Sequence, residues 1–133
     1  MSYSIDIFLD TDKPLESVAK RVSELLGAAL TREKDDGASL YRASALDLDV
    51  TLLADHGLDD DRELLFSSYS IELGLKPYVD ARRVAGFRAM HEAVALYLGA
   101  RLANVLRCRS MVVYDVQRLM ASFTPDSAVV SAF

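Results

Sequence analysis

From Val79 to Arg107 the chain runs 29 residues without a proline, with apolar or large side chains at Val84, Phe87, His91, Val94, Leu98, Leu102 and Val105. Gaps of three and four place all of these on one stripe, so the stretch predicts a long helix that backs a sheet. A second helix is predicted after Thr11 and Asp12, whose side-chain oxygens suit a cap, with Pro14 in its first turn. Its stripe is Leu15, Val18, Val22, Leu25, Leu26 and Ala29, supported by Glu16–Lys20 and Lys20–Glu24 pairs at i,i+4. Gly27 weakens its last turn.

Strands are predicted where apolar and polar positions alternate. Tyr3, Ile5, Ile7 and Leu9 face one way, and Ser4, Asp6 and Phe8 the other. Arg32 to Gly37 is charged and ends in a turn residue, so it reads as a loop, and Ala38 to Ala43 as a short strand. In Leu46–Ala54, Leu46, Leu48, Val50 and Leu52 alternate with Asp47, Asp49, Thr51 and Leu53, a strand with one wet face. A polar loop, Asp55–Glu63, leads to Phe66–Leu75. There Tyr69, Ile71, Leu73 and Leu75 are expected inward and Ser68, Ser70 and Glu72 outward, until Pro77 stops the strand. Ser110–Tyr114 is the last strong strand. Val116–Phe123 is a short apolar cluster, and the tail from Pro125 to Phe133 reads as a peripheral strand or a frayed end.

The expected fold is therefore a single α+β domain over residues 1–133. It is a two-layer sandwich: a mainly antiparallel sheet of four or five strands with two helices on one face, in the βαββαβ order of ferredoxin-like folds. A content of 51% apolar and 26% charged residues in 133 fits one globular core. No apolar run approaches the roughly 18–20 residues that cross a bilayer. Asp6 and Asp10 near the amino terminus argue against a secretory leader, and Cys108 alone cannot close an internal disulfide, so a cytoplasmic home is expected.

Charge is unevenly spread. Residues 1–75 carry 16 acids and 7 bases (−9), residues 76–133 carry 4 acids and 8 bases (+4), and the net charge is −5. Between Asp47 and Glu63 seven carboxylates face Arg62 alone. Such a field disfavours nucleic acid and membrane surfaces and favours a basic partner. If the apolar strand positions face the helices, the opposite face displays Asp6, Asp47, Asp49, Thr51, Ser68, Ser70 and Glu72, beside the loop acids Asp55, Asp59, Asp60, Asp61 and Glu63. The expected partner-binding set is Asp47, Asp49, Asp55, Asp59, Asp60, Asp61, Glu63 and Glu72, with Leu58 or Tyr69 adding apolar anchoring. A plain solvated sheet face is the alternative. Acids and serines at these positions, with Phe8 the one stacking residue, do not suit RNA.

Catalytic motifs are wanting. Asp55, His56, Asp59, Asp61 and Glu63 are ligand types, but their spacing is not that of a calcium loop, so no metal is assigned. His91 on an apolar stripe reads as a buried, hydrogen-bonded histidine, with no acid or nucleophile named as its partner. Cys108 lies between Arg107 and Arg109, an arrangement able to lower a thiol pKa, yet Tyr114 stands where a phosphatase-type loop needs arginine, so Cys108 reads as a small residue at a helix-to-strand junction. No phosphate-cradling glycine pattern or nucleophile elbow occurs, and no cofactor is expected. Arg82, Arg83 and Arg88 form a basic cluster that is either a second contact surface or a partner for the acidic loop.

In the Asp47–Glu63 run and the closing segment Cys108-Arg-Ser-Met-Val-Val-Tyr-Asp-Val-Gln117, the chain resembles the immunity proteins of bacterial polymorphic toxin systems. The resemblance implies a non-enzymatic inhibitor that binds a cognate, basic toxin domain such as a nuclease; it transfers no individual residue roles. Two other classes stay open: a small-molecule-binding regulatory domain, which ferredoxin-like sheets form as homodimers, and an enzyme using His91 or His56 with nearby carboxylates.

Overall fold

The chain is described by a computed structural model covering residues 3–35, 38–62 and 64–126. Its elements, in order, are β1 (Ile5–Asp10), α1 (Leu15–Leu26), β2 (Thr31–Asp35), β3 (Ala38–Ala45), β4 (Leu48–Ala54), β5 (Ile71–Pro77), α2 (Phe87–Leu106), β6 (Arg109–Tyr114) and β7 (Arg118–Phe123). All seven strands join one antiparallel sheet in the order β2-β3-β4-β5-β1-β6-β7. The expectation of four or five strands in ferredoxin-like order is thereby overturned: the fold is dominated by its sheet.

The two strands that the apolar pattern missed lie at the edges. Arg32, Glu33 and Lys34 were expected in a loop, but β2 pairs fully with β3. Its side chains form surface links such as Glu33–Arg42 at 3.1 Å and Arg32–Ser39 at 3.0 Å. Charge on an edge strand discourages pairing with foreign chains, and it also erases the alternation by which a strand is recognised. At the other edge Arg118–Phe123 pairs with β6 across an irregularity at Val112/Val113. The 125–133 tail lies outside the described residues beyond Asp126.

Strand and helix boundaries also shift. Leu46 and Asp47 are not the start of a strand but the two central residues of the β3–β4 hairpin, with φ of 54° and 60°. The long helix does not begin at Val79. A 3₁₀ turn over Ala81–Arg83 and Gly86 at φ 80° precede it, leaving Val84 61% exposed.

Both helices pack on one face. Val18 and Val22 of α1 and Ala95, Leu98 and Leu102 of α2 share a core with Ile5, Ile7, Leu9, Val50, Leu73 and Leu75. Among the buried residues of α2 are the small Ala95, Gly99 and Ala103, and at Gly99 the helix backbone comes close to β6 and β7. Ser110 Oγ donates to the Gly99 carbonyl at 2.7 Å, and a Cβ at position 99 would stand 2.7 Å from Val112 Cγ2 and 3.3 Å from Phe123.

The opposite face is not the open layer that the alternation predicts. Leu64, Phe66 and Tyr69 fold back over Phe8, Met111 and Val113, with Leu58 and Val116 at the margin. Phe66 meets Phe8 with ring centroids 4.9 Å apart. Residues 66–68 form a 3₁₀ turn rather than a strand, and Tyr69 packs on this side, not among the helix-facing positions.

Replacing Gly99 by Ala should therefore lower stability, because overpacking costs of about 1–3 kcal/mol outweigh the roughly 1 kcal/mol gained in helix propensity. A denaturant midpoint equal to or above that of the unaltered chain would show that Val112 and Phe123 yield freely.

Candidate functional site

Seven residues of β4, at about 3.3 Å each, separate the hairpin tip at Asp47 from the loop that begins at Asp55 by roughly 20–25 Å. The acidic run that is continuous in sequence is thus split between two ends of the sheet. At the first end Asp47 is exposed, and its carbonyl accepts the Tyr78 N–H at 3.1 Å. Asp49 is half-buried, sits opposite Lys76 on β5 and has Arg42 Nε 3.5 Å from its Oδ1. Asp49 thus already has cations of its own chain beside it.

At the second end lie Asp55, Asp59, Asp60 and Asp61, all exposed. Their loop is held by hydrogen bonds rather than left loose. Leu58 N–H donates to His56 Nδ1 at 3.0 Å, which puts the ring proton on Nε2, and Nε2 donates to the Tyr69 carbonyl at 2.7 Å. The same ring meets Phe8 edge-on at 5.4 Å. Asp60 accepts from Ser67 N at 2.7 Å and from Ser67 Oγ at 2.9 Å, while Asp61 and Leu64 exchange two backbone bonds at 2.8 and 3.0 Å. Glu63 lies outside the described residues. His56 is therefore a staple inside the loop, and among the described residues no three His, Cys, Asp or Glu side chains converge on a metal position.

Of the expected apolar anchors, Leu58 is half-buried and Tyr69 is buried against Phe8. The residue that replaces them is Leu65, 50% exposed between buried Leu64 and Phe66. The alternation could not single it out, because a 3₁₀ turn rather than a strand decides which side chain faces outward.

Glu72 has a different setting from the loop acids. It is half-buried on β5 beside Asp6, which is only 5% exposed. Asp6 Oδ1 is sealed from solvent and accepts no described hydrogen bond. Burial, then a hydrogen bond and the charge of Glu72, push the Asp6 carboxyl up to about 8. Near neutral pH Asp6 therefore keeps its proton, so this position presents less negative charge than a free carboxylate. Opposite it, Gly74 leaves space: a Cβ there would lie 3.0 Å from Thr51 Oγ1 and 3.7 Å from Asp6 Oδ1.

The other singled-out groups are structural. His91 is fully buried. Its Nε2–H donates to the Leu75 carbonyl at 3.0 Å and its Nδ1 faces Tyr3 Oη at 3.3 Å, while burial lowers its pKa. Cys108 is buried, and burial followed by the Asp10 charge raises its thiol to about 11. The flanking arginines do not lower it: Arg109 turns to Asp10, with Nη2 2.7 Å from Oδ2. Arg88 does not reach the acidic loop; it pairs with Glu92 at 3.2 Å and lies over the rings of Tyr3 and Tyr114 at 5.6 and 5.1 Å. No helix of the described residues is long and apolar enough to cross a membrane.

Three outcomes follow for these buried groups. Asp6 binds its proton more tightly in the folded chain than at its ordinary value of 3.8, so its contribution to stability is lost as pH rises from about 3.8 through about 8. Asp6→Asn should flatten that part of a chemical-denaturation profile, whereas an unchanged slope would show that Asp6 holds no extra proton in the folded chain. His91 acts with the opposite sign, since its depressed pKa costs stability as pH falls below its ordinary 6.5. Cys108 should resist iodoacetamide at mildly alkaline pH until denaturant is added, and rapid alkylation of the native chain would show an accessible thiolate. Comparison of the chain with protein-family models, with curated proteins and with solved structures found no match in any of the three.

Proposed function

We propose that this domain is a non-enzymatic binding protein of the immunity type, which docks on a basic domain of a cognate toxin through the loop Asp55–Asp61. The observation that supports this most directly is the pairing of exposure with anchorage. Asp55, Asp59, Asp60 and Asp61 face solvent, while the segment bearing them is held down by Phe66 and Tyr69 and by the His56 staple. Carboxylates on a preformed loop steer a basic partner and lose little conformational freedom when it binds. Asp47 and Asp49 lie at the far end, where Arg42 and Lys76 stand beside Asp49, and Glu72 lies half-buried beside the protonated Asp6. The docking set is accordingly narrower than the acidic run.

The test uses the reading frame adjacent to this chain's own. Its carboxy-terminal domain is expected to be basic and to arrest growth when expressed alone, and co-expression of this chain is expected to restore growth. Asp55→Asn, Asp59→Asn, Asp60→Asn and Asp61→Asn combined should slow association with that domain about tenfold or more and reduce its salt dependence. Asp47→Asn with Asp49→Asn should change association much less. Failure to protect, or equal rates for the two sets of variants, would refute the assignment.

A further inference from the structure

Next to the acidic loop, on the same outer face, lies a cleft of about 200 Å³. Tyr69 and Met111, both buried, form its floor, and Leu65 and Leu119 its walls. Ser68 and Ser122 supply hydroxyls at the margin. Leu65 and Leu119 are 50% and 41% exposed, among the most exposed large apolar side chains of the described residues. Arg109 closes one side, its guanidinium stacked over the Tyr69 ring at 5.3 Å and tied to Asp10 Oδ2 through Nε and Nη2 at 3.0 and 2.7 Å.

The loop acids and the segment of the cleft wall are joined by hydrogen bonds. Asp61 exchanges two hydrogen bonds with Leu64, the residue before Leu65, and Asp60 holds Ser67, the residue before Ser68. Asp60 through its carboxylate and Asp61 through its backbone are therefore tied to the segment that builds the cleft wall. An apolar hollow with a charged rim is the anatomy of a protein-interface anchor site. Its volume falls below the roughly 300–1,000 Å³ of ordinary small-molecule pockets, and suits one side chain. Arg109, already neutralised by Asp10, has no uncompensated charge with which to draw an anion.

We infer that this cleft receives a single large aliphatic side chain, of leucine or methionine type, from a partner segment in which that residue is flanked by lysines or arginines. The flanking cations meet Asp59, Asp60 and Asp61 while the aliphatic group displaces water from between Leu65 and Leu119. This rests on the docking role proposed for the loop and adds to it what the partner must carry. Charge then governs how fast the partner arrives, and the buried side chain governs how long it stays.

Three capped synthetic peptides separate the two ideas: Lys-Lys-Leu-Lys-Lys, Lys-Lys-Ala-Lys-Lys and Glu-Glu-Leu-Glu-Glu, each titrated into the full ¹⁵N-labelled chain and followed by amide chemical shifts. The basic leucine peptide should shift Leu65, Ser68, Leu119 and Ser122 together with Asp59–Asp61, and bind about tenfold tighter than the alanine peptide. The alanine peptide should shift the loop alone. Ser122→Trp, a change at an exposed position, should fill the cleft and reduce the leucine peptide to the behaviour of the alanine one. Equal binding and equal shifts from the two basic peptides would overturn the cleft while leaving the acidic loop as the docking site. Equal occupation of the cleft by the acidic peptide would leave an apolar site and overturn the loop's part. No shift from any peptide would overturn both.

Discussion

Burial of β1 on both sides is the constraint on which the rest of the structure depends. Ile5, Ile7 and Leu9 are covered by the helices, while Phe8 on the other side is covered by Phe66 and its neighbours. A central strand walled on both faces excludes water from the ladders it makes with β5 and β6, and unpaired backbone groups there would be costly. The second wall is not another layer of regular structure. It is a loop, and a loop can serve as a wall only if its own polar groups are satisfied, which His56, Asp60 and the Asp61–Leu64 pair accomplish.

That requirement ties the fold to the surface it presents. The segment from Asp55 to Tyr69 must alternate between side chains that go down onto Phe8 and Met111 and side chains that stay in water. Leu64, Phe66 and Tyr69 take the first role and Asp59, Asp60, Asp61 and Leu65 the second. A charged surface over a packed interior results, with one aliphatic residue left outside because the 3₁₀ turn at 66–68 turns it outward. The same segment thus supplies core, charge and the wall of a cleft.

Asp6 shows how position overrides residue type. As a carboxylate on an outward-facing strand position it would be one more surface charge. Walled in by Glu72, Ser4 and the space over Gly74, it instead keeps a proton. Asp6 therefore adds little to the negative charge of this protein near neutral pH.

Much of the fold was legible because periodicity records burial. The helix-facing side of β1, β4 and β5 and the bodies of α1 and α2 follow from spacing alone, since a residue that must meet the core recurs with the period of its backbone. The edge strands were not legible, because Arg32-Glu33-Lys34 has little to bury and so leaves no pattern. The type and approximate number of acidic groups were likewise written in the chain, but their grouping was not. Only the seven residues of β4 set Asp47 and Asp49 apart from Asp55–Asp61, and only the folding of Leu64, Phe66 and Tyr69 onto Phe8 turned a supposed open face into a covered one. Sequence determined which residues prefer water and which do not; tertiary structure decided which of them share a surface, because separation along a chain and separation in space are linked only within a single element.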